Sequence, residues 1–87
     1  MHHETQKIIR RLKIIEGQVR GLQDLVANNA YCIDIITQTS AVKQALARVE
    51  DVLMENHLES CVVRQIKDGK DAVAVKEILK VYGLKRN

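Results

Sequence analysis

The chain has 87 residues, room for one small domain, with four Gly, two Tyr and no Pro, Phe or Trp. Leu, Ile, Val, Ala, Lys, Glu and Gln dominate, so the composition favours helices and leaves little material for strands and tight turns. The formal charge is +3, and no apolar run approaches the roughly 18–20 residues of a membrane span, which excludes a transmembrane helix.

The first expected element is an amphipathic helix over residues 5–27. Ile8, Leu12, Ile15, Val19, Leu22 and Val26 recur at spacings of three and four, which places them on one stripe. Glu16, Gln18, Arg20 and Gln23 fall largely off it. Gly17 and Gly21 sit one turn apart inside the helix, where each costs about 1 kcal/mol relative to Ala. Such a pair points either to close approach of another backbone or to plain tolerance. Asn28-Asn29 is the break, because Asn suits both the left-handed end of one helix and the N-cap of the next.

A second helix then covers about 30–66, a stretch without Gly or Pro. At about 1.5 Å per residue it is more than about 50 Å long. A chain this short cannot cover such a helix, so the helix must extend past the monomer core and pack on another subunit. Lys67-Asp68-Gly69-Lys70 is the next break, with Gly69 suited to the C′ position. Asp71 can cap a third helix over 72–82, with Val73, Val75, Ile78, Leu79 and Tyr82 as its apolar positions. Gly83 ends it, and residues 84–87 form a basic tail. The whole reads as one all-α domain over 1–87.

The soft-ligand residues are Cys32, His57 and Cys61. His57 and Cys61 are four apart, so they share one helix face. Cys32 lies earlier on the same helix, about 37 Å away along its axis, and cannot join them within one chain. Two antiparallel copies of the helix solve this. Pairing residue 32 with the 57–61 turn puts the two-fold axis near residues 45–46, among the small residues Ser40, Ala41, Ala45 and Ala47. The axis generates two identical sites, each with His57 and Cys61 from one subunit and Cys32 from the other. Two thiolates and an imidazole favour soft ions, and three ligands lean toward trigonal Cu(I) rather than a four-ligand Zn(II) site. A fourth ligand from His2 or His3 would favour Ni(II) or Zn(II) instead.

The charge is uneven. Residues 1–24 hold five basic and three acidic side chains, residues 25–60 two and five, and residues 61–87 seven and three. Basic ends and an acidic middle hint at a polyanion partner. Met1-His2-His3-Glu4 has no signal-peptide core, so a cytoplasmic location is expected, where two cysteines stay reduced.

Four blocks, R11-L12-K13-I14-I15-E16-G17-Q18-V19-R20-G21, Y31-C32-I33-D34-I35-I36, S40-A41-V42-K43 and H57-L58-E59-S60-C61, resemble the copper-sensitive operon repressor family. The resemblance spans about residues 5–83. It implies a three-helix protomer that dimerises into an antiparallel four-helix bundle, with dimers pairing into a tetramer. The family holds copper, nickel/cobalt, formaldehyde and persulfide sensors, separated by their ligand patterns. Cys32, His57 and Cys61 match the copper class, whereas His2 and His3 echo the N-terminal His of the nickel class. The resemblance also makes Tyr31 and Glu77 partners of the ligand His, whose second ring nitrogen needs a fixed acceptor. It makes Arg11 and Arg48 DNA contacts, with Arg10, Lys13 and Arg20 adding to the same basic surface. Ile14 departs from relatives that carry Arg there.

The expected function is a Cu(I)-responsive transcriptional repressor that holds double-stranded operator DNA when metal-free and releases it on binding Cu(I). The alternatives are a nickel or persulfide sensor on the same scaffold, or a helical copper-buffering protein without a DNA function. An enzyme is not expected, since no carboxylate pair or nucleophile–base–orienter set is present.

Overall fold

The computed structural model describes residues 5–85, which are helical apart from two short turns. Helix α1 is Thr5–Ala27 and α2 is Cys32–Asn56. A π-helical turn, His57–Val62, leads into α3, Val63–Lys67. Helix α4 is Asp71–Lys85. No strand occurs among the described residues, and no helix there is long and apolar enough to cross a membrane.

Both turns close by the same device. After α1, Asn29 N–H donates to the Val26 carbonyl at 3.1 Å and Ala30 N–H to that of Leu25 at 2.9 Å. Asn29 holds φ at 55°. After α3, Gly69 N–H donates to Ile66 and Lys70 N–H to Gln65, with Gly69 at φ 75°. Each is a Schellman end with its left-handed residue at C′, the reason Asn and Gly stand at those two positions.

Two expected features differ. The second helix is not α-helical throughout: it widens into a π turn at His57, although no Gly or Pro marks the place. Gly83 does not end the last helix. It keeps an ordinary negative φ, and α4 continues through Leu84 to Lys85. A Gly inside a helix costs about 1 kcal/mol, which good helix formers on either side can offset, and no Pro follows to force a stop.

The chain divides into two compact units, one ending at Leu53 and the other starting at Met54. In the first, α1 and α2 form an antiparallel hairpin. Val19–Ala27 lie across from Ile35 and Thr39, and Arg11–Gln18 across from Ala45 and Arg48. Its core is Ile8, Ile15, Val42 and Val49, packed on by Leu22, Ala45 and Val52. These positions repeat every seven residues on each helix, which keeps one seam facing the neighbour. The alternate members of the α1 stripe, Leu12, Val19 and Val26, remain 42%, 38% and 59% exposed. Gly17 and Gly21 have nothing within 4 Å of where a Cβ would sit, so no other element among the described residues closes on them from that side.

The second unit is smaller. Val62 of the π turn and Ala74 of α4 are its buried apolar residues. Ala74, at 2% exposure, is small enough to bring the α4 backbone close. Glu77 follows three residues later and so lies on nearly the same face of α4.

Candidate functional site

His57 opens the π turn and Cys61 lies within it. Wide turns of this kind recur at functional sites because they re-aim side chains relative to a regular helix. The His57 side chain is 29% exposed, and Cys61 is a free, half-buried thiol. The imidazole Nε2 atom stands 3.9 Å from Oε2 of Glu77. That is an electrostatic contact, too long for a hydrogen bond. The other carboxylate oxygen, Oε1, accepts a hydrogen bond of 3.0 Å from Nε2 of Gln65. With Nε2 turned toward Glu77, Nδ1 is the ring nitrogen left for a ligand.

Cys32 is the first residue of α2 and is a free, exposed thiol. Tyr31 precedes it, and its carbonyl accepts N–H bonds from Asp34 at 3.0 Å and Ile35 at 3.3 Å. The Tyr31 ring is 71% exposed. Cys32 thus opens α2, whereas His57 follows its last residue. Among the described residues, no group of three or more His, Cys, Asp or Glu side chains is arranged to hold a metal ion. His2 and His3 lie outside the described residues.

The basic residues divide. Arg11 and Arg48 line one shallow cleft of the first unit, about 200 Å³ in volume, with Ile14, Ile15, Gln18 and Ala45 between them. Gln18 Oε1 is buried there without a hydrogen-bond partner. Arg10, Lys13 and Arg20 are exposed and do not line the cleft. At about 100° per residue, Lys13 and Arg20 fall on the opposite side of α1 from Arg11.

The family model described as metal-sensitive transcriptional repressor matches residues 4–83. The chain belongs to the metal-sensitive transcriptional repressors. It is 47% identical over 79 residues to the copper-sensing transcriptional repressor CsoR of Bacillus subtilis, covering 91% of this chain and 78% of that protein. It is 45% identical over 60 residues to the copper-sensing transcriptional repressor RicR of Mycobacterium tuberculosis, covering 69% of this chain and 62% of that protein. The CsoR of the same organism is 35% identical over 71 residues, and this chain spans 60% of its length. Among solved structures, the repressor resembles the copper-sensing repressor CsoR with Cu(I) from Geobacillus thermodenitrificans. That match has a TM-score of 0.91 and 40% identity, and it covers 100% of this chain and 91% of the other.

Two features of this repressor have no counterpart in the sequence pattern. The π turn carries no helix-breaking residue. Gln65 lies 12 positions before Glu77 and across a turn from it, a pairing that helical spacing within one element cannot reveal. Ligand-type residues announce themselves by their chemistry, whereas a Gln on a helix surface does not.

Proposed function

We propose that the chain is a Cu(I)-responsive transcriptional repressor that acts in the cytoplasm on double-stranded operator DNA. The observation that carries this reading is the π turn. His57 and Cys61 share it, and Nε2 of His57 faces the Glu77 carboxylate, which leaves Nδ1 and a free thiol as a ready pair of donors. The likeness to copper-sensing repressors supports the choice of ion.

The donors fit Cu(I). Thiolates are soft, imidazole is compatible, and neither cysteine is tied in a disulfide. Cys32, at the far end of α2, joins the pair from a second subunit in a two-fold dimer. The many exposed apolar side chains, among them Leu12, Val19, Leu46 and Leu53, support assembly into a four-helix bundle and then a tetramer. His57, holding Cu(I) through Nδ1, would keep its proton on Nε2, and the charge that Cu(I) would withdraw from the ring would make that N–H a stronger donor. Glu77 would then receive that N–H, and Tyr31, which neighbours Cys32, would lend its hydroxyl to the network from the second subunit. The carboxylate belongs to α4, so ligand binding is read by that helix.

Operator DNA is held by Arg11 and Arg48 from the shared cleft, through phosphate contacts. Arg10, Lys13 and Arg20 extend the positive field around α1. DNA and Cu(I) favour different states of the assembly, so each weakens the other's binding by the same factor. This is a regulator's cycle and involves no catalysed reaction.

The test is anaerobic. The reduced protein is titrated with Cu(I) and separately with Ni(II), and operator binding is followed by fluorescence anisotropy. Release by Cu(I) but not by Ni(II) is expected. Release by Ni(II) alone points to a nickel sensor, and tight Cu(I) binding without any DNA binding points to a copper buffer.

A further inference from the structure

The junction of α3 and α4 holds a residue that ligand chemistry does not single out. Gln65 touches α4 and its approach twice. Its main-chain carbonyl accepts the Lys70 N–H at 2.6 Å, one of the bonds that close the turn. Its side-chain Nε2 donates to Oε1 of Glu77 at 3.0 Å. Because a carboxylate only accepts, this bond fixes which end of the Gln65 amide faces Glu77. The amide oxygen then points inward, where it is buried and has no partner among the described residues.

Glu77 needs such a restraint. Its side chain is 47% exposed, and a carboxylate that open swings toward water unless something holds it. The His57 contact cannot hold it, since 3.9 Å is beyond hydrogen-bond reach. Gln65 occupies one carboxylate oxygen and leaves the other, Oε2, facing the His57 ring. The amide is neutral, so it orients the carboxylate without neutralising it. A Lys or Arg in its place would compete with the imidazole for the same charge.

We propose that Gln65 is a positioning residue: it holds Glu77 with one oxygen toward His57 Nε2, and so sets how much of the event at His57 reaches α4. This rests on the functional reading above, in which His57 is a ligand and Glu77 its acceptor. Gln65 takes no part in holding the ion or the DNA. Its removal leaves the ligand set complete and cuts the link between ligand and helix.

The test compares the full-length parent with Gln65→Met, which keeps length and bulk and removes the donor. Gln65→Glu, which replaces the donor by a second acceptor in the same shape, is the companion variant. Circular dichroism checks that each folds, and either one suffices. The first readout is the ratio of operator affinities without and with Cu(I). It is expected to fall about tenfold in either variant, within the usual range of coupling between sites, while one Cu(I) per chain still binds. The second readout needs no metal. The ring nitrogen signals of His57, measured by NMR in the metal-free protein, are expected to shift in both variants as Glu77 swings away. An unchanged ratio with unchanged ring signals overturns the assignment. A ratio that falls while the ring signals stay at the parent's places the effect elsewhere in the chain and overturns it as well. If Cu(I) does not release operator from the parent itself, the functional reading fails, and the His57 signals alone still decide the role of Gln65.

Discussion

Nε2 of His57 and Oε2 of Glu77 stand 3.9 Å apart, about 1 Å beyond hydrogen-bond distance. The pair is poised rather than made. An imidazole fixed with its proton on Nε2 is a donor at that atom, and a small closing movement converts the contact into a charge-assisted bond.

Glu77→Gln tests that pair. The amide keeps the shape but offers a neutral acceptor and competes as a donor. Cu(I) binding is expected to persist, and the loss of operator affinity on adding Cu(I) is expected to shrink by about tenfold. Anisotropy titrations with and without Cu(I) measure it. A full Cu(I) response from the variant would show that the carboxylate does not carry the signal.

The donors themselves are separable. Cys32→Ala and Cys61→Ala each remove a thiolate and are expected to abolish tight Cu(I) binding, while the metal-free variants still bind operator. His57→Ala is expected to weaken binding less and to uncouple it from release. Competition with a Cu(I) chelator reads the affinity. Loss of folding in all three variants would mark the cysteines and the histidine as structural.

Much of this arrangement is legible in the sequence, because helices write their faces at a fixed period. Ile8, Ile15 and Leu22 announce the seam of α1, and Asn29 and Gly69 announce the two left-handed ends. Gly83 shows the limit of that logic. A glycine ends a helix only where the chain turns left-handed after it, and here it does not. Periodicity also cannot say which stripe residues a neighbour covers, so Leu12 and Val19 join the pattern yet stay exposed in the single chain. The three proposed donors are chosen by residue type alone. The π turn that holds two of them, and the amide of Gln65 behind Glu77, depend on packing between elements and leave no mark on the pattern.

Arg11 and Arg48 come from different helices yet border one cleft. Arg11→Ala and Arg48→Ala are each expected to weaken operator binding. Each should also reduce the slope of log affinity against log salt by about 0.9 for every phosphate no longer neutralised. Cu(I) affinity should barely move. Anisotropy over a salt series measures the slope. If neither substitution alters it, the DNA face lies elsewhere on the protein.

Leu46, 44% exposed, flanks the α2 seam beside the small residues where the two-fold axis is expected. Burying a Leu contributes about 1.5–3 kcal/mol, and a symmetric interface counts it from both subunits. Leu46→Glu places two carboxylates there instead. The assembly is expected to dissociate toward monomers at micromolar concentration, with loss of Cu(I) affinity because Cys32 and Cys61 part. Sedimentation velocity reads the first effect and chelator competition the second. A variant that stays assembled with its Cu(I) affinity intact would move the interface off this face.

The choice of ion turns on how many donors the site has. Two thiolates and one imidazole satisfy Cu(I), a soft ion content with few ligands. Ni(II) prefers a square-planar or larger set and would have to recruit His2 or His3. His57 is the only histidine among the described residues, and the proposed three-donor set already uses it. Deleting residues 1–3 is therefore expected to leave Cu(I) affinity and Cu(I)-driven operator release unchanged. In the intact protein Ni(II) is expected to bind but to release operator poorly, because a square-planar demand pulls His57 away from the orientation that faces Glu77. Parallel anisotropy titrations of the intact and shortened proteins with each metal separate the cases. If the shortened protein no longer releases operator with any metal, the N-terminal histidines are ligands and the protein is a nickel-type sensor.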